Sequence, residues 1–338
     1  MRKRRDGENG SGTHPPMTKL RAAVVGVGYL GNFHVQKYLS LPDLEVVGVV
    51  ETNPDRAHEI SAKYQIPAFD SLTPLMGQID LVSIVTPPMH HFAAARQCLE
   101  QGVHVLVEKP VTETVQEAQL LIELARRRHC VFQVGHLERF NPAVIAVRRR
   151  LQSPHRIEAR RLSKYQKRGT EVDVVLDLMI HDIDIVLSFV SSPVATLHAT
   201  GSTVVSGDID VAHATLHFAH GCVAELTASR VNRESVRAMN IYQADSYISV
   251  DYLNHTLLVG SQGLATSDQL PVEVNFEEEN LTRTDVLMDE IASFVAAVRH
   301  GNAPTVSGED GKRALEVAVA ISSQIRARAQ TLREHKAR

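Results

Sequence analysis

Short apolar runs separated by amphipathic stretches set the first part of the chain. Ala22-Ala23-Val24-Val25, Val46-Val47-Gly48-Val49-Val50, Ile79 to Val85, Val103 to Val107 and Cys130 to Val134 read as buried strands, since a brief, uniformly apolar run hides both of its faces. Between them, Asn32 to Ser40, Pro54 to Tyr64, Met89 to Gln101 and Val115 to Arg128 predict helices. Pro54 suits a first helical turn and Gly102 a helix end. Strand and helix in alternation predict a parallel sheet with helices on both faces. A helix over Asn141 to Leu151 leads out of this unit, its Arg148-Arg149-Arg150 a solvated face.

The rhythm then changes. A strand over Arg156 to Leu162 and a helix over Val174 to Val190 precede a series of β-rich runs: Ala195 to Thr200, Ile209 to Phe218, Cys222 to Ser229, Ser235 to Tyr242, Tyr247 to Tyr252 and Thr256 to Val259. Gly221, Asn254 and Gly260 punctuate them, as expected of antiparallel strands joined by tight turns. Asp285 to Arg299 and Gly311 to Ala329 close the chain as helices. The expected organisation is an arm over 1–19, a nucleotide-binding unit over 20–137 and an α+β unit over 138–330. The second unit carries a large open, mostly antiparallel sheet suited to self-assembly, and its final helices are free to pack back on the first.

The first strand ends in Gly26-Val27-Gly28-Tyr29-Leu30-Gly31. Glycine has no Cβ to hold a pyrophosphate away from backbone N–H groups at a helix N-terminus, where the dipole also favours an anion. Such a turn is informative only between strand and helix with an acid about 20 residues on. Glu51, ending the second apolar run, supplies that acid for the ribose hydroxyls and would repel a 2'-phosphate, which favours NAD over NADP.

Composition excludes several classes. The 338 residues with 43% hydrophobic content suffice for two cores, and a net charge of -3 gives no reason to expect nucleic acid or an anionic membrane as partner. Three cysteines, Cys98, Cys130 and Cys222, are widely spaced, so they read as reduced thiols in a cytoplasmic protein. The basic Met1-Arg2-Lys3-Arg4-Arg5 has no apolar run behind it, which speaks against a secretion signal and for a disordered arm. His198, His213, His217 and His220 lack metal-ligand spacing, and no metal is expected.

Open parallel sheets bind ligands at the carboxyl ends of their strands. Besides the glycine turn and Glu51, those ends carry Thr86-Pro87-Pro88-Met89-His90-His91 and Glu108-Lys109-Pro110. Pro110 biases Lys109 towards an extended backbone, which points its ammonium; a surface pair with Glu108 is the competing reading. Asp177 and His181 lie four apart, on one helix face, where a carboxylate would fix an imidazole that takes a hydroxyl proton. A structural histidine is the competing reading there.

These segments together resemble the Gfo/Idh/MocA oxidoreductases over nearly the whole chain from Leu20 to about Ala329. The resemblance rests on the glycine turn, Thr86-Pro87 with His91, Gly102 to Pro110, Asp177 with His181, and Ser307-Gly308-Glu309-Asp310-Gly311. It implies a Rossmann domain and an open-sheet domain, homodimers or homotetramers through that sheet, and catalysis by Lys109 and His181 with Asp177 beside them. The implied cofactor residues are Gly26, Gly28, Tyr29, Leu30, Gly31, Glu51, Thr86, Pro87, His91, Glu108 and Lys109.

A narrower similarity, carried by Val134 to Pro142 and by Arg168-Gly169-Thr170 with Asp173 to Asp182, is to the members that oxidise C3 of UDP-N-acetylglucosamine for amide-linked lipid A. It implies Arg139, Asn141 and Arg168 as contacts to the sugar or its diphosphate. Oxidation of a free polyol such as an inositol, NAD-binding regulation without catalysis, and redox-neutral glycosidase chemistry remain the alternatives.

Overall fold

The computed structural model describes residues 18–166, 172–262 and 274–336. Most of the arm expected over 1–19, and Arg168 with its neighbours Gly169 and Thr170, lie outside them. The first unit runs β1 (Leu20–Val25), α1 (Tyr29–Ser40), β2 (Leu44–Val50), α2 (Pro54–Tyr64), β3 (Ala68–Phe69), β4 (Leu81–Ile84), α3 (His91–Glu100), β5 (His104–Glu108), α4 (Val115–Arg128) and β6 (Phe132–Gly135). Its strands pair in parallel in the order β3-β2-β1-β4-β5-β6. The order reverses between β1 and β4, which opens a crevice at their carboxyl ends. Ala22 and Val24 pack with Val35, Tyr38 and Ile60 on one face, while Ala23 and Val25 pack with Ala95, Leu99 and Leu121 on the other. Local chemistry agrees: Asn53 caps α2 ahead of Pro54, and Thr114 with Glu117 forms a reciprocal capping box on α4.

The remainder runs α5 (Pro142–Arg150), β7 (Arg156–Leu162), a π-helical turn (Val175–Met179) continuing into α6 (Ile180–Phe189), β8 (Val194–Ser202), β9 (Val211–Phe218), β10 (Val223–Ser229), β11 (Val236–Tyr242), β12 (Ser246–Asp251), β13 (Thr256–Gln262), β14 (Val274–Asn280), α7 (Val286–His300) and α8 (Gly308–Lys336). The strands form one sheet in the order β14-β13-β12-β11-β7-β10-β9-β8. Among the described residues only β7 and β10 of this sheet pair in parallel. One face packs Ile157, Ala159, Leu216, Leu226, Met239 and Ile241 against α5, α6 and α8. The opposite face carries polar and aromatic side chains such as Arg156, Glu158, Glu225, Tyr242 and Tyr247.

The two closing helices bind the halves together. Ile291, Phe294 and Val295 of α7 complete the core around β1 and α1, and α8 places Leu315 in the first unit's core and Ala318, Ile321 and Ile325 in the second's.

Three expectations change. α1 starts at Tyr29 rather than Asn32, so Gly28 is its N-cap and the helix begins inside the glycine turn. The helix expected from Val174 opens with the wider π turn before α6. An edge strand, β14, was not expected: Val-Asn-Phe-Glu-Glu-Glu-Asn is exposed at every position and has no inward pattern to betray it.

Candidate active site

The glycine turn has the shape that a dinucleotide needs. Gly26 has φ +81°, and a Cβ there would meet Thr86 and the Val85 carbonyl at 2.9 Å. A Cβ on Gly31 would lie 1.9 Å from the Gly26 carbonyl oxygen, so this glycine lets α1 close onto the turn. A Cβ on Gly28 would meet nothing within 4 Å; that glycine borders open space at the helix start. No side chain caps α1 and its first turn holds no acid, which leaves its N-terminus available to an anion. Tyr29 and Leu30 are exposed at this mouth.

Glu51 is oriented from two sides, its Oε2 accepting from Val27 N and its Oε1 from Asn53 N, each at 3.0 Å. Arg56, which sequence reasoning missed, donates from Nε to the Val27 carbonyl at 2.7 Å and from Nη2 to that of Gly28 at 3.2 Å. Its guanidinium is therefore committed to holding the turn. A dinucleotide would fit this cradle, with its pyrophosphate at Gly28 and the helix start and its adenosine ribose at Glu51. Thr86 and Pro87 follow β4 beside the turn, and Thr86 Oγ1 is buried with no partner among the described residues.

His91 and Glu108 turn out differently from the cofactor contacts expected. His91 is buried, with Nδ1 2.9 Å from the Pro110 carbonyl oxygen and Nε2 2.8 Å from that of Thr86. It ties the turn after β4 to the turn after β5. Glu108 also points inward: it is buried beside His34 Nε2 at 3.3 Å, in space left free by Gly135.

Lys109 crosses to the second unit. Its Nζ donates to the Asp177 carbonyl at 2.7 Å and lies 3.6 Å from Asp177 Oδ1, both side chains keeping partial exposure. Asp177 Oδ2 is 3.9 Å from Arg230 Nη2, so the carboxylate lies between two cations. Arg230 is otherwise buried and bonds the Val172 carbonyl at 2.8 Å. Among the described residues the expected pairing of Asp177 with His181 is not formed; the Asp177 carboxylate faces Lys109 and Arg230 instead. Among the described residues His181 Nδ1 is buried without a partner.

His181 lies buried among the cations of this region. Burial, then Lys109, Arg161, His136 and Arg237, hold its pKa well below the ordinary imidazole value. A neutral ring is ready to accept a proton. His136, buried beside it, is likewise shifted down, first by burial.

The residues expected to grip the substrate need correcting. Arg139 donates to both oxygens of Asp184 at 2.6 and 2.9 Å, and its side chain is only 7% exposed. Asn141 caps α5 through Ala143 N and donates to Glu138 Oε2 at 2.9 Å. Both are committed to internal partners, as short polar side chains and buried guanidinium groups must be. Arg168 lies outside the described residues.

A second network, also missed, supports α6 from below. Arg161 donates to Asp182 Oδ1 at 2.9 Å, Asp182 Oδ2 at 3.1 Å and Glu138 Oε1 at 2.9 Å. Burial opposes its charge, but Asp182 and Glu138 outweigh it and raise its pKa further above the usual guanidinium value. Its signal lay in the strand period: Arg161 alternates with Ile157 and Ala159, so a charge stood at an inward position.

Comparison with known proteins agrees with this architecture. Residues 20–136 match the GFO_IDH_MocA oxidoreductase family, described as an NAD-binding Rossmann fold, and residues 141–249 match the GFO/IDH/MocA C-terminal domain. UDP-N-acetylglucosamine 3-dehydrogenase from Acidithiobacillus ferrooxidans is 38% identical over 312 residues, covering 92% of this chain and 99% of that one. A solved structure of that enzyme superimposes with a TM-score of 0.86. The scyllo-inositol 2-dehydrogenase (NAD(+)) of Bacillus subtilis is 26% identical over 91% of this chain and 94% of its own. The chain belongs to the Gfo/Idh/MocA family of oxidoreductases.

Proposed function

We propose that this enzyme oxidises a ring hydroxyl of a nucleotide sugar, C3 of UDP-N-acetylglucosamine, to the 3-keto sugar. The observation that carries the substrate is the 38% identity, over 99% of its length, to an enzyme with that activity. NAD, the proposed cofactor, would supply the hydride acceptor. Gly28 and the start of α1 would hold its pyrophosphate, and Glu51 its adenosine ribose. Among the described residues no arginine is free beside Glu51 to receive a 2'-phosphate, because Arg56 is spent on the Val27 and Gly28 carbonyls; this supports NAD over NADP.

Losing a hydride from carbon is easier as the hydroxyl gives up its proton. His181 is the proposed acceptor, neutral at the outset. Lys109, fixed by the Asp177 carbonyl, is placed to stabilise the developing alkoxide. Asp177 offsets the charge of Lys109 and Arg230 rather than orienting the histidine. Assembly as a homodimer or homotetramer through the uncovered face of the large sheet belongs to the same reading; light scattering of a variant with charges placed at Tyr242 and Tyr247 tests it, and an unchanged mass overturns it.

The activity is tested with NAD and a panel of UDP-sugars, inositols and free sugars, following growth of the NADH absorbance band. Growth with UDP-N-acetylglucosamine is the expected result. Reduction with an inositol alone would replace the nucleotide sugar by a polyol, and product without net NADH would indicate redox-neutral chemistry.

A further inference from the structure

Arg139, expected at the substrate, is consumed by Asp184, yet among the described residues one guanidinium beside the proposed catalytic histidine, that of Arg237, has no hydrogen-bonded acceptor. Arg237 stands on β11 directly opposite Arg161 of β7, and directly paired residues share a face of the sheet. Arg161 grips Asp182, which follows His181, so Arg237 lies along the wall that carries the base. Its side chain is 49% exposed, whereas that of Arg161 is 4% exposed.

The nearest carboxylate does not neutralise it. Arg237 Nη1 is 3.9 Å from Glu138 Oε1, beyond hydrogen-bond reach. That oxygen already accepts from Arg161 at 2.9 Å, and Oε2 accepts from Asn141 at 2.9 Å. Around the cleft, among the described residues, Lys109, Arg161, Arg230 and Arg237 face Asp177, Asp182 and Glu138, so positive charge is left over. The surplus is accessible at Arg237, where desolvation and the neighbouring Arg161 also disfavour its charge.

We propose that Arg237 is the anchor for the diphosphate of the substrate, its planar guanidinium donating to phosphate oxygens while the sugar reaches His181 and Lys109. A phosphate anion there would relieve the repulsion from Arg161 and give the free N–H groups charged acceptors. The inference rests on the nucleotide-sugar reading above and names the residue that selects for it.

The test measures binding of UDP, uridine and NADH to the full-length protein and to R237A, R237Q and R237K. Expected is a roughly 10- to 100-fold weaker UDP affinity in R237A and R237Q, as loss of a charge-assisted contact gives. R237K should recover part of it, and NADH affinity should hold. The discrimination between UDP and uridine should collapse in R237A, a change that a merely structural role would not produce. UDP affinity at the wild-type level in R237A, or parallel loss of UDP and NADH in all three variants, overturns the inference. A wild-type protein that oxidises a free polyol and has no affinity for UDP overturns the nucleotide-sugar reading itself.

Discussion

In the proposed reaction the ammonium of Lys109 and the ring of His181 would divide the work at the reacting carbon, and each division has a measurable signature. Replacing Lys109 by Met or His181 by Asn should lower kcat by about 10²- to 10⁴-fold, the usual range for a positioned proton-transfer group. Turnover within twofold of wild type in either variant contradicts the assignment. The pH profile tests the histidine separately. Burial and the cations Lys109, Arg161 and Arg237 depress its pKa, so the active, neutral ring persists below about pH 6.5. The acid limb of kcat/KM should therefore lie below that value. Removing one of those cations in R237Q should move the limb upward, towards the ordinary imidazole pKa; Asp177 and Glu138, the nearby carboxylates, are left in place. At this scale the sequence was legible where backbone position decides, as for Lys109 at a strand end. It misled where a side chain's partner decides: Arg139 has Asp184, 45 residues away along the chain, at 2.6 Å, and nothing local announces that pair.

The elements around the glycine turn separate two uses of one residue type. A methyl on Gly31 would collide with the Gly26 carbonyl oxygen at 1.9 Å, whereas one on Gly28 would enter open space. Gly31→Ala should therefore destabilise the fold by about 1–3 kcal/mol, as overpacking does, and lower the melting temperature. Gly28→Ala should melt as wild type and bind NADH more weakly; comparing melting curves with a nucleotide titration separates the two. The same logic applies under α6. Arg161→Met would leave Asp182 buried without its cation and should cost about 3–5 kcal/mol, read from denaturant unfolding. Buried strands of the first sheet were legible because a run apolar on both faces has few other fates. The π turn at Val175–Met179 was not, since its apolar spacing is that of any helix; Asp177 lies within it, close to Lys109 and Arg230.

For the whole molecule, the closing helices make the cleft a joint product of both halves. Phe294 of α7 is fully buried in the core formed by Val24, Val35 and Tyr38. Phe294→Ala should cost about 3–5 kcal/mol and weaken NADH binding, although the residue belongs to the C-terminal part of the chain. The two-part organisation was legible from the change of strand rhythm after Leu151. The shared role of α8, with Leu315 in one core and Ile321 in the other, depends on three-dimensional packing of a single long amphipathic stretch. With the halves so joined, a dinucleotide at Gly28 and a sugar at His181, as proposed, would face each other across Lys109. Their reaction is tested most directly with UDP-N-acetylglucosamine deuterated at C3. Transfer of the label into NADH, one deuterium per keto sugar formed, is the predicted result; unlabelled NADH, or keto sugar formed without NADH, would contradict it.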